Sequence, residues 1–154
     1  MNEYLLILEQ GPTSWGAYCP DISGCVAAAD TRSQVQTLYE EALGGWVEAT
    51  LEDGDPIPTP QAETDFVAVA LPGQPPRRYL VILQPTPLGA WSASPADVPD
   101  LVLEFSDRGG ALRLLQAALQ SHLEALLAAG QPLPEPASEA DTVAITESRL
   151  PVTA

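Results

Sequence analysis

Leu51-Glu52-Asp53-Gly54-Asp55-Pro56-Ile57-Pro58-Thr59-Pro60 and Leu127-Ala128-Ala129-Gly130-Gln131-Pro132-Leu133-Pro134-Glu135-Pro136 are two renderings of one pattern, Leu-x-x-Gly-x-Pro-x-Pro-x-Pro, set 76 positions apart. Gly followed by Pro is a helix stop, because Gly accepts the left-handed position after the last turn and Pro cannot continue the helix. Two helices should therefore end at equivalent points. At the same offset Trp15 meets Trp91, Asp21 meets Asp97, Ala42-Leu43 meets Ala118-Leu119, Glu48-Ala49 meets Glu124-Ala125, and Asp65, Val67 and Ala68 meet Asp141, Val143 and Ala144. Tyr4-Leu5 and Ile7-Leu8 meet Tyr79-Leu80 and Ile82-Leu83 at an offset of 75, so the second copy holds one extra residue before its Trp. The chain reads as an internal repeat, with the extra residue in a hairpin turn.

Within the first copy, Tyr4 to Glu9 is a β-biased apolar run, Gly11 to Ser14 is turn chemistry, and Trp15 to Cys19 resumes a strand. Pro20-Asp21-Ile22-Ser23-Gly24 breaks the chain again, and Cys25 to Ala29 can form a third strand. Thr31 with Gln34 fits a capping box. The helix it opens has an apolar face of Val35, Leu38, Tyr39, Ala42, Leu43, Trp46, Val47 and Leu51 and a stop at Gly54. A last strand runs from Thr64 to Leu71. The second copy repeats this with strands at 78–84, 90–94 and 101–105, a helix at 108–129 and a strand at 142–146. Its helix face is Ala111, Leu114, Leu115, Ala118, Leu119, His122, Leu123, Leu126 and Leu127. The expected fold is α+β: two tandem β-β-β-α-β modules at 1–71 and 79–146 forming an internal pseudo-dimer, a Pro-rich linker at 72–78, and a C-terminal tail at 147–154.

The chain has 154 residues, 45% of them hydrophobic, which is ample for a packed core. Its net charge of −15 arises from 21 acids against six bases, all Arg. Residues 1–76 hold twelve acids against one Arg, and residues 77–154 hold nine against five. Nucleic acid is a poor partner for such a surface, since phosphate neutralisation needs clustered Lys and Arg. A basic protein is the natural one, if the acid excess does more than maintain solubility. The N-terminus lacks the basic region and long apolar run of a secretory signal, and no apolar stretch is long enough for a membrane span, so the expected location is cytoplasmic. Cys19 and Cys25 are too few for a disulfide scaffold and, with one His, cannot complete a zinc site; they read as small apolar strand residues.

The order Tyr18-Cys-Pro-Asp-Ile-Ser-Gly-Cys25, then Asp30-Thr31 opening a helix, then Leu51-Glu-Asp-Gly-Asp-Pro-Ile-Pro58 resembles HicB-like antitoxins, over nearly all of residues 1–71. Their pattern has a Pro-Asp-x-x-Gly-Cys turn, an Asp-Thr helix start and an acidic-Gly-x-Pro-Ile-Pro exit. The second copy departs from it, with Ala96-Asp97-Val98-Pro99-Asp100-Leu101 in place of the Gly-Cys turn. The resemblance implies a partially RNase H-like, acidic module that caps a small basic RNA-cleaving HicA-like toxin and often oligomerises, here through strand edges. Partner binding would fall to Trp15, Tyr18, Asp21 and Ser23 of the first copy. Family members commonly add a DNA-binding segment, and residues 147–154 are too few for one, so no direct nucleic-acid binding is expected.

Catalytic candidates are thin. His122 stands opposite Trp46, so the copies share no Ser-His-Asp set, and the recurring acids Asp21, Asp97, Asp65 and Asp141 occupy turn and strand-start positions where backbone bonding is the usual role. No catalytic residue, cofactor or metal is expected. The expected function is a toxin-neutralising binding module. The alternatives are an orphan duplicated scaffold without a toxin and an uncharacterised hydrolase.

Overall fold

A computed structural model describes residues 2–145. The elements follow the order β1 (Asn2–Gln10), β2 (Trp15–Tyr18), β3 (Val26–Ala29), α1 (Arg32–Glu52), β4 (Glu63–Val69), β5 (Arg77–Pro85), β6 (Trp91–Pro95), β7 (Leu103–Phe105), α2 (Arg108–Ala128) and β8 (Glu139–Ile145). The β-β-β-α-β series thus occurs twice, an α+β fold with two similar modules. The turn between β5 and β6 is one residue longer than that between β1 and β2, as the change of offset requires, and Gly89 takes φ +85° in it.

Each helix is capped at both ends, α1 by the Thr31 and Gly54 that mark it in the sequence. The Thr31 hydroxyl accepts from the Gln34 amide at 3.2 Å, and the Asp107 carboxylate accepts from the Gly110 amide at 2.7 Å. At the C-termini, Gly54 and Gly130 adopt φ of +76° and +70°. The next amides, of Asp55 and Gln131, reach back to the carbonyls of Thr50 and Leu126, the bonding that closes a Schellman motif.

The strands do not stay with their own copy. One sheet has the order β3-β2-β1-β8 and the other β4-β5-β6-β7, all neighbours antiparallel. The compact units are accordingly residues 2–61 with 139–145, and residues 62–138. This corrects the boundaries expected from sequence: the last strand of each copy completes the sheet of the other. The segment 72–78 is also not a linker between units. Arg77 and Arg78 belong to β5, and the preceding residues form the hairpin loop joining β4 to β5, turned by a bond from the Gln74 amide to the Leu71 carbonyl with Gly73 at φ +73°. The units are connected instead by the two Pro-rich exits that follow Gly54 and Gly130.

Loop length explains the exchange. Closing a short loop between antiparallel neighbours forfeits little chain entropy, so β4 pairs with the strand that immediately follows it. The place beside β1 is then left for β8. Side chains could not have made this choice, because both exchanged strands carry the same pattern. Arg32 Nε lies 3.1 Å from Glu139 Oε1 and its Nη2 lies 3.5 Å from Asp141 Oδ2. Arg108 Nε lies 2.7 Å from Glu63 Oε1 and its Nη1 lies 3.5 Å from Asp65 Oδ2, the same grip with the copies interchanged.

In the first unit, Tyr4, Leu6 and Leu8 of β1 pack with Val143 and Ile145 of β8 against Val35, Tyr39, Leu43 and Val47 of α1. In the second, Tyr79, Val81 and Leu83 of β5 pack with Val67 and Val69 of β4 against Ala111, Leu115, Leu119 and Leu123 of α2. These are equivalent positions of the repeat. The helical faces are narrower than the sequence pattern suggested: Leu38 and its counterpart Leu114 are both 42% exposed, and His122 is exposed at the surface of α2.

Candidate partner-binding face

The turn after β2 is anchored from below by three apolar side chains. Cys19, Ile22 and Cys25 are buried in the first core, the Ile22 amide donates to the Cys19 carbonyl at 3.0 Å, and Gly24 turns the chain at φ +85° with its α-carbon facing the Trp46 indole nitrogen. A Cβ at position 24 would be strained whatever the space available. Asp21 Oδ2 accepts from the Gln61 amide at 3.1 Å, tying the turn to the exit that follows α1. The Tyr4 hydroxyl donates to the Pro58 carbonyl in the same exit. The second unit repeats both ties: Asp97 Oδ1 accepts from the Ser138 amide at 3.0 Å and its hydroxyl at 2.8 Å, and the Tyr79 hydroxyl donates to the Pro134 carbonyl at 2.6 Å.

These contacts sort the four residues expected to meet a partner. Asp21 is engaged with backbone, the role its turn position suggested. Trp15 is half-buried against the first core, on the same side of β2 as buried Ala17. Tyr18, an odd number of residues away, lies on the opposite side, paired with Ile7 of β1 and Val26 of β3. Ser23 is exposed at the top of the turn. The structure therefore brings Asp21 and Ser23 together in one turn and separates Trp15 from Tyr18 across the sheet.

Beneath the turn lies a polar cluster that the sequence did not single out. The Tyr39 hydroxyl is buried against the Cys19 and Cys25 thiols without a hydrogen bond of full geometry. Burial, offset in part by the Tyr39 hydroxyl, pushes the Cys19 thiol up to about 11, and burial raises Cys25 and Tyr39 as well. Buried and held as thiols, the two cysteines are inert rather than nucleophilic. The equivalent positions of the second copy are Leu115, Pro95 and Leu101, so only the first unit holds this cluster. At the start of β8, the Thr142 amide, followed by Gln36 and Arg32, holds the Asp141 carboxyl below its usual range.

The edges carry exposed apolar side chains in equivalent places: Val26 at the start of β3 is 74% exposed and Val102 just before β7 is 55% exposed. Among the described residues no group of three or more His, Cys, Asp and Glu side chains is placed to hold a metal ion. Among them, too, no helix is long and apolar enough to cross a membrane.

Residues 4–69 match the family described as the HicB_like antitoxin of bacterial toxin-antitoxin system. Over that segment the chain is similar to HicB-like antitoxins. A chain of a solved HicA3 and HicB3 toxin-antitoxin complex is 31% identical over 38% of this chain and 67% of its own, with a TM-score of 0.35. A solved antitoxin HicB3 is 30% identical over 38% of this chain and 43% of its own, with a TM-score of 0.34. No curated protein matches. The HicB-like match takes in β1 to α1 of the first unit and continues into β4, the strand that this chain places in the second unit's sheet.

Proposed function

We propose that this HicB-like chain is the antitoxin of a toxin-antitoxin pair, a cytoplasmic binding protein that neutralises a small basic RNA-cleaving, HicA-like toxin without chemistry of its own. The observation that carries the reading is that most of the family match, residues 4–61 of 4–69, falls on the acidic unit. The described residues of the first unit hold twelve acids against Arg32, a net of −11, while those of the second hold eight against four Arg, a net of −4. Complementary potential speeds encounter with a basic partner and disfavours wrong ones. Contact falls to the first unit's turn, with Ser23 at its exposed tip and Tyr18 on the sheet beside it, and Asp21 holding the turn in shape.

The test is co-expression of the full chain with the product of a neighbouring small, basic, His-containing reading frame. The two should co-elute and the growth arrest caused by that product should be relieved. Reversing Glu3 and Asp30 to Arg should slow association far more than reversing Asp100 and Glu104. Absence of both co-elution and relief would refute the reading.

A further inference from the structure

Between α1 and β8 of the first unit runs an open groove of about 530 Å³, floored by Val143 and Ile145, walled by Leu43 and Val47, and rimmed by Glu40 and Glu41. We propose that this groove takes up an extended cationic segment of a partner protein, which adds as a further strand along the outer edge of β8. This goes beyond the antitoxin reading, because it specifies a backbone-pairing site that any protein with such a segment can use.

The second unit shows what closes the equivalent place. There Gln116 Nε2 donates to the Ala68 carbonyl at 3.0 Å and Gln120 Nε2 to the Ala70 carbonyl at 2.7 Å, so helix side chains occupy one carbonyl of the edge strand β4 and another just past its end. Covering an edge in this way blocks unwanted strand addition. At the matching positions α1 has Glu40 and Gly44. A carboxylate cannot donate to a carbonyl, so Glu40 cannot cover Ala144, the counterpart of Ala68, and glycine at 44 has no side chain to donate. Among the described residues β8 is the last strand of its sheet, paired with β1 alone.

What remains is a strand edge whose outward amides and carbonyls lie beside carboxylates and an apolar floor. A guest must bring a strand's alternating donors and acceptors, positive charge and small aliphatic side chains at alternate positions, which describes a cationic β-strand. The corner differs in charge as well. Glu41 stands where the second copy has Ala117, and Thr37 where it has Arg113.

The experiment uses the full chain and a short synthetic peptide alternating Arg and Val, with blocked ends, followed by fluorescence anisotropy. A second peptide is N-methylated at alternate amides, keeping its charge and side chains while losing one edge of donors. The plain peptide should bind at least about tenfold more tightly than the methylated one, the effect of roughly one backbone hydrogen bond. Glu40→Gln alone should weaken it, and Glu40→Gln with Gly44→Gln, which installs the second unit's cover, should weaken it by a further tenfold or so. Glu52→Gln removes the same charge outside the groove and should change nothing. Equal binding of the two peptides, or equal loss from Glu40→Gln and Glu52→Gln, would reduce the attraction to bulk charge and overturn the proposal. So would concentration-dependent self-association through β8 that excludes the peptide, which would assign the groove to a second copy. Failure to capture a toxin would leave these outcomes unchanged.

Discussion

Ile145→Ala tests the strand exchange directly. Ile145 is the last apolar residue of the second copy by sequence, yet it is 2% exposed in the first unit's core, among β1 and α1 side chains. Truncating a buried Ile to Ala removes about 2 to 5 kcal/mol, the transfer energy of the lost methyls together with the cavity left behind. At 1.4 kcal/mol per decade, amides that exchange through opening of that unit should exchange roughly thirty to several thousand times faster. Hydrogen exchange resolved by peptide mass should place the loss in residues 2–61 and leave residues 77–128 near their original protection. Val69→Ala, the reciprocal change, should do the opposite. Loss of protection in α2 and β5 to β7 on Ile145→Ala, with α1 and β1 to β3 unmoved, would show that each copy keeps its own last strand and would refute the topology.

Gly45→Ala should stabilise the protein by about 0.5–1 kcal/mol in chemical denaturation, since position 45 is an exposed helix-interior site with nothing within 4 Å of an added Cβ. Tyr39→Phe should be neutral or raise stability by up to about 1 kcal/mol, because it removes a buried hydroxyl that lacks a proper partner; a loss larger than that would mean that the thiols bond it well. The pH response of Cys19 has a definite sign. Its folded value is raised from 9.0 to about 11, so its contribution is intact below pH 9 and disappears as pH rises towards 11. Denaturation midpoints should fall across that window and fall less in Cys19→Ala. On the acid side, Asp141 is depressed, so its contribution holds above about pH 4 and is lost as pH falls through the lowered value, which Asp141→Asn should remove.

The elements were legible because each is punctuated by residues with one mechanical meaning. Thr31 caps, Gly54 and Gly130 stop, and Tyr4, Leu6 and Leu8 alternate. Strand partnership was not legible, because Glu63, Asp65, Val67 and Val69 present the same faces and charges as Glu139, Asp141, Val143 and Ile145, and either set fits either sheet. Pro72-Gly73 misled for a related reason: turn chemistry is common to a hairpin loop and a linker, and only strand pairing tells them apart. Asp21 could be read as a backbone tie from its turn position. The groove could not, since it joins the helix of one copy to a strand of the other. Its signal was present as Glu40 and Gly44 aligned with Gln116 and Gln120, but it acquires meaning only once β8 is known to lie beside α1.

The exchange of β4 and β8 also sets the order in which the chain can finish folding as it is made. The second unit is one continuous stretch, residues 62–138, and has all its strands once that stretch has been synthesised. The first unit starts with β1 but waits for Glu139–Ile145, so its longest-range pairing, Asn2 with Ile145, spans nearly the whole described chain. Non-local pairing of this kind is slow and leaves a strand edge bare in the meantime. Translation thus completes the later-made half first and holds the acidic half open beside β1 until the last strand emerges.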